Sequence, residues 1–175
     1  MKTLPLVLAL LLGSVHCAAP PAGAVDPTVL PTRAPVTVLI FFSPGCHCLA
    51  AHDARLVSLA GRYHPRGVQF FMVDSEAGGD EARDQAEARR RGYPFPMLLD
   101  RGAKLAGSVG ADFASDTVIL DAGGRVLYHG GIDSDRNELH DDATPYLQDA
   151  LDDVLAGRPP RVAQHESLGC SLRKW

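Results

Sequence analysis

The chain has 175 residues, 46% of them hydrophobic, which suits one globular domain with an ordinary core. Its 17 basic and 21 acidic residues give a formal net charge of -4, so a general affinity for nucleic acid or anionic membrane is not expected.

Residues 1–24 read as an export signal. Lys2 supplies the positive start, Leu4 to Leu12 the apolar segment, and Ala22-Gly23-Ala24 a small-residue cleavage site. That apolar run is too short to span a bilayer, so the processed protein is expected to be soluble in the periplasm or outside the cell. Cleavage after Ala24 removes Lys2 and takes the net charge from -4 to -5. It also removes Cys17, where a lipid anchor is disfavoured because His16 is bulky at a place where acylation signals carry a small residue. Cys46, Cys48 and Cys170 are then left. An odd number of cysteines in an oxidising compartment points to a free or exchanging thiol rather than a closed structural framework.

Residues 25–35 form a proline-rich linker, expected to be an extended tether, and the domain is placed at 36–157. Val36 to Phe42 is an almost unbroken apolar run rich in branched and aromatic residues, the pattern of a strand buried on both faces. Leu49 to Tyr63 follows as a helix, with Leu49, His52, Asp53, Leu56, Leu59, Ala60 and Tyr63 on one stripe and Gly61 and Pro65 near its end. Val68 to Val73 is a second strand. Asp80 to Arg91 is a polar helix closed by Gly92, with Glu87 and Arg91 spaced for a side-chain pair. Its terminal Arg89-Arg90-Arg91 complements the helix C-terminus and is not a nucleic-acid patch.

Met97 to Leu99 is a short strand and Ala103 to Val109 one or two helical turns. Thr117 to Leu120 and Arg125 to His129 form a hairpin around Asp121-Ala122-Gly123-Gly124. Thr144 to Ala156 is the last helix, with Thr144 as its N-cap and Gly157 as its stop. Residues 158–175 are a tail carrying Cys170. The layout predicts an α/β fold, a central mixed sheet with helices on both faces, and sites gathered at the carboxyl ends of its parallel strands.

Cys46-His47-Cys48 falls at such an end, between Ser43-Pro44-Gly45 and the helix. Unpaired N–H groups at a helix start favour a thiolate, the form that attacks disulfides and peroxides. Chemistry there requires the Cys46 sulfur to be reachable from solvent. Helical positions i and i+2 point to nearly opposite sides, so a Cys46–Cys48 bridge needs one of the two outside regular helix. A disulfide across a single residue is a tight ring, which makes the pair labile and relatively oxidising. His47, between the thiols, would favour the thiolate when protonated. His52 lies four residues beyond Cys48 and is either a proton acceptor for it or a hydrogen-bonded core residue. His129 is the other histidine singled out.

These residues resemble the thioredoxin-like superfamily and, within it, exported redoxins related to the thiol-specific antioxidant (AhpC/TSA) group. The resemblance is carried by Phe41 to Cys48, Arg66-Gly67-Val68, Val73 to Glu76, Tyr93 to Pro96, Gly130 to Asp133, Leu155 to Pro159 and Gly169 to Leu172. It implies a thioredoxin-like three-layer fold and a thiol-disulfide oxidoreductase that needs no organic cofactor and no metal. It places Cys46 as attacking thiol and Cys48 as its partner. Its expected partners are protein thiols and disulfides or small peroxides, together with a redox protein that recharges it. Three positions depart from family habit. Ser115 stands where a cis-proline usually precedes the strand beginning at Thr117, Ile40 where thioredoxins carry a buried acid, and Leu39 where peroxiredoxins carry a proline, although Ser43 matches their hydroxyl.

Cys170 is a resolving thiol if the tail folds back over the junction, and otherwise a static bridge or an idle group. Two rival classes compete with the redox one. Cys46, Cys48 and His52 could serve as soft ligands of a Cu(I) or zinc carrier. The fold could also persist as an extracellular interaction domain without turnover.

Overall fold

A computed structural model describes residues 23–31 and 34–175. Most of the segment expected to be an export signal, with Cys17, lies outside the described residues. Among those described, no helix is long and apolar enough to cross a membrane.

Strand β1 (Val36–Phe42) is buried at all seven positions and occupies the middle of a five-stranded sheet ordered β3-β2-β1-β5-β6. It pairs in parallel with β2 (Val68–Asp74), from Val36 opposite Val68 to Phe42 opposite Asp74, and antiparallel with β5 (Thr117–Asp121). The centre of a covered sheet has no solvent face, which explains why the run shows no polar alternation. Each fully buried side chain such as Leu39, Ile40, Phe41 or Phe42 contributes about 1.5–3 kcal/mol. Strand β3 (Met97–Leu99) extends the parallel side, and β6 (Val126–Gly130) completes a hairpin with β5. Helices cover both faces: α1 (His47–Ala51), α2 (Asp53–Tyr63), α3 (Glu81–Arg91), α4 (Lys104–Val109) and α5 (Tyr146–Leu155). A two-residue strand β4 (Phe113–Ala114) pairs antiparallel with β7 (Cys170–Ser171) in the tail.

The helix expected over 49–63 starts two residues earlier and breaks at His52, whose backbone (φ -87, ψ 2) leaves the helical region. The cause is local. His52 Nδ1 takes the Cys48 carbonyl at 2.7 Å, the acceptor its own backbone N–H would use in a continuous helix, and that N–H bonds Leu49 O instead.

Two other sequence expectations shift. Thr144 does not cap the last helix. Pro145 occupies that position without a side-chain bond, while the Thr144 carbonyl accepts the N–H groups of Ser134 and Tyr146. Glu87 pairs with Arg90, because Arg91 turns inward. Its Nε lies 2.9 Å from Asp53 Oδ2 and its guanidinium packs over the Phe42 and Tyr93 rings. The clamp ties the end of α3 to the first turn of α2.

The segments flanking the domain, from Gly23 to Val25 and after α5, are pinned to it. Val25, expected in the tether, is buried, donates its N–H to Gly124 O and follows a bridge between Ala24 and Arg125 at the hairpin. In the tail, Asp153 accepts from Arg158 and from both the backbone and the side chain of Arg161. His129 and Ala163 to His165 then exchange backbone bonds, and the His165 ring stacks on Tyr146 at 3.7 Å.

Candidate functional site

The carboxyl end of β1 delivers Ser43-Pro44-Gly45 into a turn in which the Cys46 N–H donates to Ser43 O at 3.1 Å. Cys46 is the N-cap of α1 in extended conformation (φ -79, ψ 108), and its sulfur accepts the Leu49 N–H at 3.4 Å. Because Cys46 lies outside the helix and Cys48 inside its first turn, the two sulfurs do not diverge as i and i+2 would in regular helix.

The tail brings a third thiol to them. Register in the β4–β7 pair sets Cys170 opposite Ala114, and the Sγ atoms of Cys46, Cys48 and Cys170 all lie within 4.8 Å of one another. All three are free thiols. Burial and the neighbouring Cys46 and Cys48 sulfurs push the Cys170 thiol up to about 11, partly offset by the Cys48 backbone N–H that donates to it.

Tail residues 169–174 act as a strap. Leu172 donates its N–H to Asp112 O, Ala77 donates to Arg173 O, the Arg173 guanidinium pairs with Glu76, and Lys174 reaches Ala111 O and Asp112. Gly169 lies so close to Ala114 that a Cβ there would sit 1.6 Å from its carbonyl oxygen and 2.5 Å from Ser115 Oγ. The strap seals the cap. Cys46 is only 1% exposed, so the thiol placed as attacking is not reachable from solvent while the strap is down, whereas Cys48 and Cys170 are half-buried.

Ser115 sits beside this centre, buried, at φ +99, a strained angle for a residue with a side chain. Its N–H donates to Phe41 O at 2.9 Å, a bond that proline could not make. Pro44 and His47 lie at the rim and Ser43 below it. His129 stands away from the thiols, its Nε2 3.4 Å from Asp116 Oδ1.

His52 is not directed at the Cys48 sulfur. Both its ring nitrogens face acceptors, Nδ1 the Cys48 carbonyl and Nε2 the Asp133 carboxylate at 3.0 Å, so the core role expected as its alternative is the one its contacts fit. Burial pulls its pKa down, but the bonds to Asp133 and Cys48 outweigh that and leave it raised. Asp133 is held below the usual carboxylate range, since the His52 and Arg55 bonds outweigh its own burial. Arg55 also bonds Asp135, and with Asp133 and His140 it lines a cleft of about 510 Å³ on the outer side of α2.

The ligand set Cys46, Cys48 and His52 is therefore not assembled, and Cys170 holds the third place. Asp133 and Gly169 carry structural roles that spacing alone does not reveal. The signal for both was their place in the segments that resemble the redoxin pattern.

No family model matches the chain, and no curated protein matches it significantly. Among solved structures it is similar to a conserved, uncharacterised protein from Geobacillus kaustophilus, at 30% identity over 90% of this chain and 89% of that one, with a TM-score of 0.71. A hypothetical protein from Sinorhizobium meliloti 1021 matches at 28% identity over 81% and 80%, with a TM-score of 0.72. A thioredoxin-like protein solved in its oxidised form matches at 15% identity over 73% and 85%, with a TM-score of 0.55, and shows the fold to be thioredoxin-like.

Two measurements follow from this geometry. Gly169→Ala forces the strap off Ala114 and should raise the alkylation rate of Cys46 by about tenfold or more, read by peptide mass mapping, with the melting temperature as a control. An unchanged rate would mean that the strap does not gate the thiol. The His52 contribution to stability is fully present below its ordinary pKa near 6.5 and is lost as pH rises through the raised native value. His52→Gln should therefore cost about 2 kcal/mol at pH 6 and clearly less at pH 9 in denaturant unfolding. An equal cost at both pH values would contradict a charged His52.

Proposed function

Because the chain belongs to one family with the conserved Geobacillus kaustophilus protein and folds as a thioredoxin-like domain, we propose that it is an extracytoplasmic thiol-disulfide oxidoreductase built on three thiols. The observation that carries this proposal is the convergence of Cys46, Cys48 and Cys170 within 4.8 Å at the carboxyl end of the central strand. Supporting the location is the export-signal pattern of residues 1–24.

The strap lifts first, since Cys46 is otherwise sealed. The Cys46 thiolate then attacks one sulfur of a substrate disulfide, forming a Cys46–substrate bond, and the other substrate sulfur leaves as a thiolate that takes a proton from solvent. Cys48 or Cys170 next loses its proton and attacks the Cys46 sulfur, releasing the second substrate thiol and leaving an intramolecular disulfide. The substrate gains two electrons and two protons, and the protein loses them. Run backwards, the same steps oxidise a dithiol.

The Leu49 N–H, 3.4 Å from the Cys46 sulfur, faces the negative charge that this sulfur carries as it attacks the substrate. Cys170 keeps its proton in the resting centre because burial and two neighbouring sulfurs disfavour its anion. Once Cys46 is tied up in a mixed disulfide, one of those disfavouring neighbours is gone. Resolution is thereby coupled to the arrival of substrate.

Insulin reduction with dithiothreitol as electron donor tests the proposal. The wild type should clearly exceed the dithiothreitol background, Cys46→Ser should fall to it, and a variant carrying both Cys48→Ser and Cys170→Ser should accumulate a Cys46-linked mixed disulfide visible by mass. Background turnover by the wild type, or full activity in Cys46→Ser, would overturn it.

A further inference from the structure

We infer that Cys46, Cys48 and Cys170 form a three-sulfur binding site for a soft monovalent ion, Cu(I). This uses the same sulfurs as the exchange chemistry but does not depend on their turnover. Three metal–sulfur bonds of about 2.3 Å in a plane place the sulfurs about 4.0 Å apart. The observed separations of no more than 4.8 Å lie within a side-chain adjustment of that triangle.

The three ligands come from the N-cap of α1, its first turn and β7, so two are fixed to one helix start and the third arrives with the strap. The strap is held beside the site on both flanks of Cys170, by Gly169 against Ala114 and by Leu172 on Asp112. The third ligand thus needs little further ordering, the usual cost of assembling a site from distant segments.

The donor set chooses the ion. Thiolates select soft metals, and among the described residues no imidazole or carboxylate joins the cluster. Structural zinc sites close four ligands around the metal, and this set offers three. Cys46 is buried with its sulfur 3.9 Å from the Ala114 carbonyl, so this ligand is screened from water and suits an ion satisfied by sulfur. His52, the ligand expected from spacing, is excluded because both its ring nitrogens are engaged elsewhere.

The test is anaerobic titration of the fully reduced protein with Cu(I) against a chromogenic Cu(I) chelator, with X-ray absorption on the loaded sample. The wild type should withhold one equivalent per chain and show three sulfurs at about 2.3 Å. Cys170→Ser should bind at least tenfold more weakly and show fewer sulfurs, while His52→Gln should bind as the wild type does. Circular dichroism melting establishes that both variants are folded. Failure of the wild type to withhold copper, or wild-type affinity in Cys170→Ser, overturns the site. Insulin reduction by the same copper-free samples separates the outcomes, because retained turnover without copper binding rejects this inference and leaves the exchange chemistry standing.

Discussion

The pairing of two short segments, Phe113–Ala114 with Cys170–Ser171, governs the thiol centre. Without it the chain has a two-cysteine turn at the start of a helix. With it, a third sulfur lies beside the other two and the capping thiol is covered. The contact tolerates no side chain at Gly169, since the tail backbone runs directly over the Ala114 carbonyl. On the same β4–β5 connection, Ser115 adopts its strained backbone angle and donates its N–H to Phe41 O near the end of β1. Strain of this kind persists only where its surroundings over-determine it, and here β1 and the strap both bear on Ala114 to Asp116.

Covering a nucleophile and using it are opposing demands, and the strap reconciles them by being weakly held. Its pairing is two residues long, and each of its side-chain ion pairs has one exposed member, Arg173 in one and Asp112 in the other, and is worth about 1 kcal/mol or less. Leu172 is the one large apolar anchor in it. Local opening therefore costs far less than unfolding the sheet, which is the expected property of a segment that must move for chemistry. Beneath the strap, the His52–Asp133–Arg55 network and the Arg91–Asp53 clamp hold both ends of the α1–α2 break, so opening the strap need not disturb the helix that carries the other two thiols.

The five strands of the main sheet and the places of the helices were legible because burial writes them into composition. Six apolar residues among the seven of a central strand leave little else for β1 to be, and the glycines after α3 and in the hairpin mark real stops. The break at His52 was not legible. It depends on a ring nitrogen taking the helix's own carbonyl while Asp133, 81 residues away, holds the other nitrogen. The strand–helix junction that carries both cysteines was legible from the pattern, and Cys46 lies outside the helix as its extended N-cap. The tail has no periodicity, and its course is set by Asp153 just ahead of it and by Tyr146 and Ala114 farther back in the chain. The burial of Cys46 was hidden for the same reason, because the cover comes from the far end of the chain.

Redox titration of the wild-type chain against glutathione buffers, with thiol trapping and mass analysis at each ratio, tests the central claim most directly. A centre of three converging thiols predicts an intramolecular disulfide that includes Cys46 and a potential more oxidising than about -300 mV, the range below which structural bridges lie. A bridge more reducing than that, or three thiols that stay reduced at every ratio, would contradict it.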